Sequence, residues 1–171
     1  LTVLKDGTYH YQATGESGGV EKFTYTTVSK AGTTQIATLE INVSMTLKGT
    51  IQADTVKASA SIDTFQLGAG ADTVIYNILN QVQHADKPDV WSDFKVAEGD
   101  KIDISELLVG QNVNATNLVN YMSLEQQGAD TGIKIDRDAN ETKYNPTELI
   151  VLNNTQASNL VLDHILVYNE I

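Results

Sequence analysis

Three aspartates stand nine residues apart, at Asp54, Asp63 and Asp72, and each is followed by threonine and a large apolar residue. The rows read Ala53-Asp54-Thr55-Val56, Ile62-Asp63-Thr64-Phe65 and Ala71-Asp72-Thr73-Val74. Carboxylates repeated at one spacing are hard oxygen ligands, and calcium takes about six to eight such oxygens at about 2.3–2.6 Å. Gly68 and Gly70 stand just before Asp72. Glycine permits the unusual φ and close backbone approach of turns that expose peptide carbonyls. Asp72 with the carbonyls of Gly68 and Gly70 is therefore the best-formed candidate site, and Asp54 is its expected partner.

The element that must position these groups is a nonapeptide solenoid. The repeat G-G-x-G-x-D-x-U-x turns the chain over its first six residues and forms a short strand over its last three, with the apolar residue inward. Residues 67–75 fit it except for Leu67 in place of the first glycine. Residues 49–57 keep Gly49, Asp54 and Val56; residues 58–66 keep Asp63 and Phe65 but carry Ala58, Ser59 and Ser61 for the glycines. Two nonapeptides make one rung, so Asp54 and Asp72 should lie on adjacent rungs of one edge. The glycine-poor middle row has Gln81 where its partner aspartate would fall, and that edge is expected to hold no metal. Asp89, 17 residues past Asp72, comes close to the next rung once a small insertion is allowed. Asp93, Asp100 and Asp103 are further candidates where the roll ends. Simpler roles stay open: a turn after Gly99 for Asp100, and for Asp103 a pairing with Lys101 or exposure to solvent.

Composition agrees with a cation-seeking chain. The 171 residues carry 22 acidic and 11 basic side chains, a formal net charge of -11, which disfavours nucleic acid and anionic membrane as partners. Nearly all the aspartate follows Ile51, and Arg137 is the single arginine. There is no cysteine, which excludes disulfides and thiolate chemistry, so a staple has to come from elsewhere, metal being one option. No apolar run approaches the roughly 18 residues of a membrane span. Leu1 to Lys5 is not a signal peptide and reads as the interior of a longer chain.

Three segments are expected: 1–46, 47–110 and 111–171. The first alternates as β structure, through Tyr9-His10-Tyr11, Phe23-Thr24-Tyr25-Thr26-Thr27, a turn at Ser29-Lys30-Ala31-Gly32, and Ala37, Leu39, Ile41 and Val43 on one face. Two or three antiparallel strands are about half of a β-sandwich. In the third, Asn114 or Thr116 caps a short helix through Leu118, Val119 and Met122. Strands follow at 132–136 and 148–153, and Ser158 caps a last helix carrying Leu160, Val161 and Ile165.

Residues 49–77 resemble the RTX nonapeptide repeats of type I secreted proteins. The resemblance continues through Asp89-Val90-Trp91-Ser92-Asp93-Phe94 and Gly99-Asp100-Lys101-Ile102-Asp103-Ile104-Ser105, with Trp91 and Ile104 departing from the family's Ile and Leu. Residues 118–124, 133–138 and 148–152 look like the C-terminal target domain of large RTX adhesins, and the first segment resembles the end of their immunoglobulin-like repeats. The implied fold is mainly β: a short parallel β-roll with a mixed α/β C-terminal cap, preceded by a fragment of an immunoglobulin-like sandwich. The implied function is that of a non-catalytic module of a secreted, calcium-dependent surface adhesin of biofilms. It would be recognised unfolded by an ABC-transporter type I secretion system, and would fold on calcium outside the cell or at its surface. The competing readings are a calcium-dependent module for sugar, ice or a host protein, and the tail of a secreted RTX enzyme.

Other constellations are weaker. Asp136-Arg137-Asp138-Ala139-Asn140 opens like an EF-hand loop, but Glu141 stands where glycine is required; a hairpin turn and a second, non-EF calcium site both stay open. His10, His84 and His164 have no ligand spacing, and neither H-E-x-x-H nor G-x-S-x-G occurs. Trp91 reads as core, with a sugar platform as the alternative.

Overall fold

The computed structural model describes residues 1–13, 19–77, 87–139, 143 and 145–169. Gln81, His84, Asn140 and Glu141 lie outside these residues. The chain is mainly β, with one short α-helix among the described residues.

Period-two strands of three or four residues, separated by turns, wind into a roll with two parallel walls. Strands β5 (Met45–Lys48), β7 (Asp63–Gln66) and β9 (Asp89–Trp91) form one wall; β6 (Thr55–Lys57), β8 (Thr73–Ile75) and β10 (Lys101–Asp103) form the other. The apolar position of each row pairs with its equivalent on the next rung: Leu47 with Phe65 and then Trp91, Val56 with Val74 and then Ile102. Phe65, Val74, Trp91 and Ile102 are fully buried. Trp91 packs edge-on against Phe94, with ring centroids 5.1 Å apart, so it is core and not a platform.

The C-terminal region extends both walls. Strands β11 (Met122–Gln127), β12 (Asp130–Ile135) and β13 (Thr147–Leu152) form an antiparallel meander, and β13 joins β9 in parallel, completing a six-stranded sheet. The helix α1 (Leu162–Ile165) leads into β14 (Leu166–Val167), which adds to β10 and makes the other sheet four-stranded. Ile133, Ile135, Ile150, Leu152 and Ile165 are buried in one cluster with the roll residues.

Two helix expectations need correction. The first helix is a single 3-10 turn, Leu118–Asn120, and Met122 already starts β11; the Asn114 side chain does accept the N–H groups of Thr116 and Asn117, at 3.0 and 3.2 Å. Ser158 sits in another 3-10 turn, Ala157–Asn159. It does not cap α1, because Leu160 and the actual N-cap Val161 are extended, which separates the two turns.

The first segment forms two hairpins, β1 (Thr2–Val3) with β2 (Tyr9–His10), and β3 (Gly19–Val28) with β4 (Thr34–Val43). The turn falls where the sequence places it: Gly32, at φ 81°, donates to the Ser29 carbonyl at 2.9 Å. Four described strands fall short of the about seven of an immunoglobulin-like sandwich.

Candidate cation-binding edge of the roll

The turns that connect the two walls stack along two edges. On the first edge the turn before β6 lies against the turn before β8, and that against the turn before β10. The Asp54 N–H donates to Asp72 Oδ1 at 2.8 Å, and the Asp72 N–H donates to Asp100 Oδ1 at 3.1 Å. The ladder returns through Thr73 N–H to the Asp54 carbonyl and Lys101 N–H to the Asp72 carbonyl, both at 2.8 Å. The aspartates therefore form a continuous column, one per rung. Asp72 and Asp100 are buried.

The glycines are required where the turns meet. Gly68 and Gly70 have φ of 99° and 124°. A Cβ on Gly68 would stand 2.0 Å from the Thr50 carbonyl oxygen, and one on Gly70 2.7 Å from that of Gln52. Across the same interval a Cβ on Gly49 would stand 2.2 Å from the Leu67 carbonyl oxygen. The space between the first two turns is thus lined by peptide oxygens and by two carboxylates. Asp54 Oδ2 accepts Thr50 N–H at 2.6 Å and Thr50 Oγ at 3.0 Å, and Asp72 Oδ1 accepts the Asp54 N–H, which leaves Asp54 Oδ1 and Asp72 Oδ2 uncommitted among the described residues.

The interval between the second and third turns is closed differently. Three carboxylates of the third turn take the N–H groups of the second. Asp93 accepts those of Leu67 and Gly68 at 3.1 and 2.9 Å, Glu98 that of Gly70 at 3.3 Å, and Asp100 that of Asp72. Asp93 also accepts the Trp91 indole N–H at 3.1 Å, which ties this turn to the core. Lys95 supplies a counter-charge 2.8 Å from Glu98, and its ammonium holds the Glu98 carboxyl below the usual range. Burial pushes the Asp100 carboxyl up, against the lowering effect of the Lys95 and Asp72 N–H groups.

The sequence reading put Asp89 on this edge, and the structure moves it. Asp63 N–H donates to Asp89 Oδ1 at 2.8 Å across 26 residues, so Asp89 belongs to the second edge and is the partner of Asp63 in the place assigned to Gln81. A plain repeat would set the partner of Asp63 18 residues on instead of 26; the longer connection after β8 takes up the difference, so Asp89 falls half a rung short of the first edge. Asp103, at the far end of β10 from Asp100, also leaves the first edge, and its carboxylate accepts the Ser105 N–H at 2.9 Å. The first edge therefore unites Asp54, Gly68, Gly70, Asp72, Asp93 and Asp100. Glu98 and Thr50 belong with them and were missed. Thr50 stands four residues before Asp54 as Ser59 stands before Asp63, a side chain-to-backbone turn signature that could have shown Thr50 but not Glu98.

Asp136 and Asp138 are buried in the turn after β12, where Asp136 accepts the Asp138 N–H at 3.2 Å and Asp138 the Lys143 N–H at 2.9 Å. Among the described residues no three Asp, Glu or His side chains converge as a metal-holding set. Any ion on the first edge must draw most of its ligands from peptide carbonyls, which is what the interval between the first two turns offers and the carboxylate-closed interval does not.

No protein-family model matches the chain. No curated protein matches it either. Among solved structures it is similar to the AlgE6R3 subunit of the Azotobacter vinelandii mannuronan C5-epimerase, at a TM-score of 0.48 and 17% identity, over 73% of this chain and 78% of that one. It is also similar to the AlgE6R2 subunit of the same enzyme, at a TM-score of 0.38 and 17% identity, over 72% and 92%.

Proposed function

We propose that this chain is a non-catalytic, calcium-dependent folding module of a secreted surface adhesin. One observation carries the calcium reading: Asp54 and Asp72 meet across stacked glycine turns whose carbonyls crowd the same interval. Calcium bound there would be held by these two carboxylates and the turn carbonyls of residues 50–52 and 67–70. It would supply the positive charge that a chain of net charge -11 lacks on this edge. Magnesium fits poorly, because it demands near-octahedral geometry and keeps its waters.

The adhesin, the type I signal and the ABC-transporter partner follow from the residue resemblance. The acidity fits them, since clustered aspartates keep the chain extended where calcium is scarce and let it compact where calcium is plentiful. Folding is followed by circular dichroism and calorimetry as calcium is added to the chelated chain, with magnesium as control. A cooperative gain of β structure with calcium alone is expected, and a chain fully folded in chelator that takes up no calcium would end this reading. Export of a passenger fused to residues 111–171 through a type I system tests the secretion half.

A further inference from the structure

The second edge carries a different chemistry. Asp63 is wholly buried, and Asp89, Tyr76 and Ser61 are nearly so. Asp89 accepts the Asp63 N–H at 2.8 Å on one oxygen and the Tyr76 hydroxyl at 2.7 Å on the other. Asp63 accepts the Ser59 N–H and hydroxyl at 2.6 and 3.0 Å, and a backbone hydrogen bond from Met45. Serine and alanine replace the glycines in this turn, and the Ser61 hydroxyl is buried without a partner. Two carboxylates are thus enclosed where the first edge has carbonyls crowding its glycines.

The surroundings offer no compensating cation among the described residues. Asp63 faces Asp89 from β7, Tyr76 faces it from the end of β8, and β13 sets Ile150 opposite it. No lysine or arginine figures among the influences on either carboxyl. Tyr76 stays a neutral donor, because burial and then the Asp89 charge push its phenol well up.

We propose that the second edge is a proton-binding site, in which the enclosed carboxyl of Asp89 keeps its proton in the folded chain and releases it as the surroundings turn neutral, loosening the middle rung. Burial raises Asp89 from 3.8 to about 7, against the lowering effect of the Asp63 N–H and the Tyr76 hydroxyl, and the charge of Asp63 adds a smaller rise. Between those values the folded chain holds a proton that the unfolded chain has given up. Stability therefore falls as pH rises through this window and levels off above it. The site lies on the other edge from the calcium interval, so it stands whether or not that reading holds.

The carboxyl carbons of 13C-aspartate-labelled chain are titrated by NMR from pH 3.5 to 9, at the lowest calcium concentration that keeps the chain folded and again with calcium saturating. The Asp89 signal is identified by its loss in Asp89→Asn. A midpoint near 7 in the folded chain is expected. A midpoint in the ordinary range near 4 overturns the proposal, as does a midpoint that saturating calcium pulls down to that range, since the second edge would then be taking the ion. Thermal melts give a second readout: the wild type should melt about 5 °C higher at pH 5 than at pH 8 relative to Asp89→Asn, and equal pH slopes in the two chains also overturn it.

Discussion

Asp54 and Asp72, 18 residues apart in the chain, are neighbours in space, joined by a 2.8 Å hydrogen bond from the Asp54 backbone to the Asp72 carboxylate. Asp72 thereby uses one oxygen to hold the preceding rung, and its other oxygen is uncommitted among the described residues. Asparagine at this position separates them, because its amide oxygen still accepts the Asp54 N–H but brings no charge. The Asp72→Asn chain is expected to reach the same folded state at saturating calcium and to bind calcium at least about tenfold more weakly by calorimetry, a loss of about 1.4 kcal/mol or more. Unchanged calcium affinity would remove Asp72 from the site.

Gly68 and Gly128 both have positive φ, 99° and 67°, but only Gly68 has a neighbour in the way. Alanine at Gly128 meets nothing within 4 Å and should cost about 1 kcal/mol for the left-handed backbone alone. Alanine at Gly68 adds a collision of its Cβ with the Thr50 carbonyl oxygen at 2.0 Å, a backbone atom that cannot swing aside, so the turns must separate. A loss of about 3 kcal/mol or more is expected, near 6–12 °C in Tm at about 2–4 °C per kcal/mol. Equal losses at the two glycines would mean that the stacked turns do not touch.

The strands of the roll were legible because their period is local. Val56, Phe65 and Val74 each follow their aspartate by two residues, and that spacing alone sets one inward side chain per short strand. Which edge each aspartate occupies was legible only while the repeat stayed regular. Asp89 was misplaced because a connection longer than the repeat precedes it, and no local pattern reveals how many residues such a connection takes up. Glu98 went unnoticed because it lies in an irregular turn and acts through the distant Gly70 N–H. The helix boundaries near Ser158 failed for another reason: a good capping residue does not start a helix when the next residues are drawn into extended backbone against the core.

Trp91 is the single tryptophan, so its emission reports one place. It is fully buried, with its indole N–H on Asp93, and Asp93 also accepts two backbone N–H groups of the neighbouring turn. Removing that carboxylate with Asp93→Ala leaves three donors without their acceptor. A destabilisation of about 2–4 kcal/mol is expected. Fluorescence of the folded chain should stay blue, since the ring remains packed against Phe65 and Phe94. A red-shifted native spectrum would show instead that Asp93 is what keeps water from the indole.

Ile165 and Leu166 tie the end of the chain to the roll. Leu166 pairs with Ile102, the Ile104 N–H donates to the Val167 carbonyl at 2.9 Å, and Ile165 is wholly buried in the shared core. Ile165→Ala is expected to cost about 2–5 kcal/mol. If roll and cap fold as one unit, that cost also appears in calcium uptake by linkage, at one decade of apparent affinity per about 1.4 kcal/mol. The calcium midpoint of folding should therefore move up by tenfold or more, although Ile165 is far along the chain from Asp54 and Asp72. A lowered Tm in calcium with an unmoved midpoint would show that the roll closes by itself and that the C-terminal strands dock afterwards.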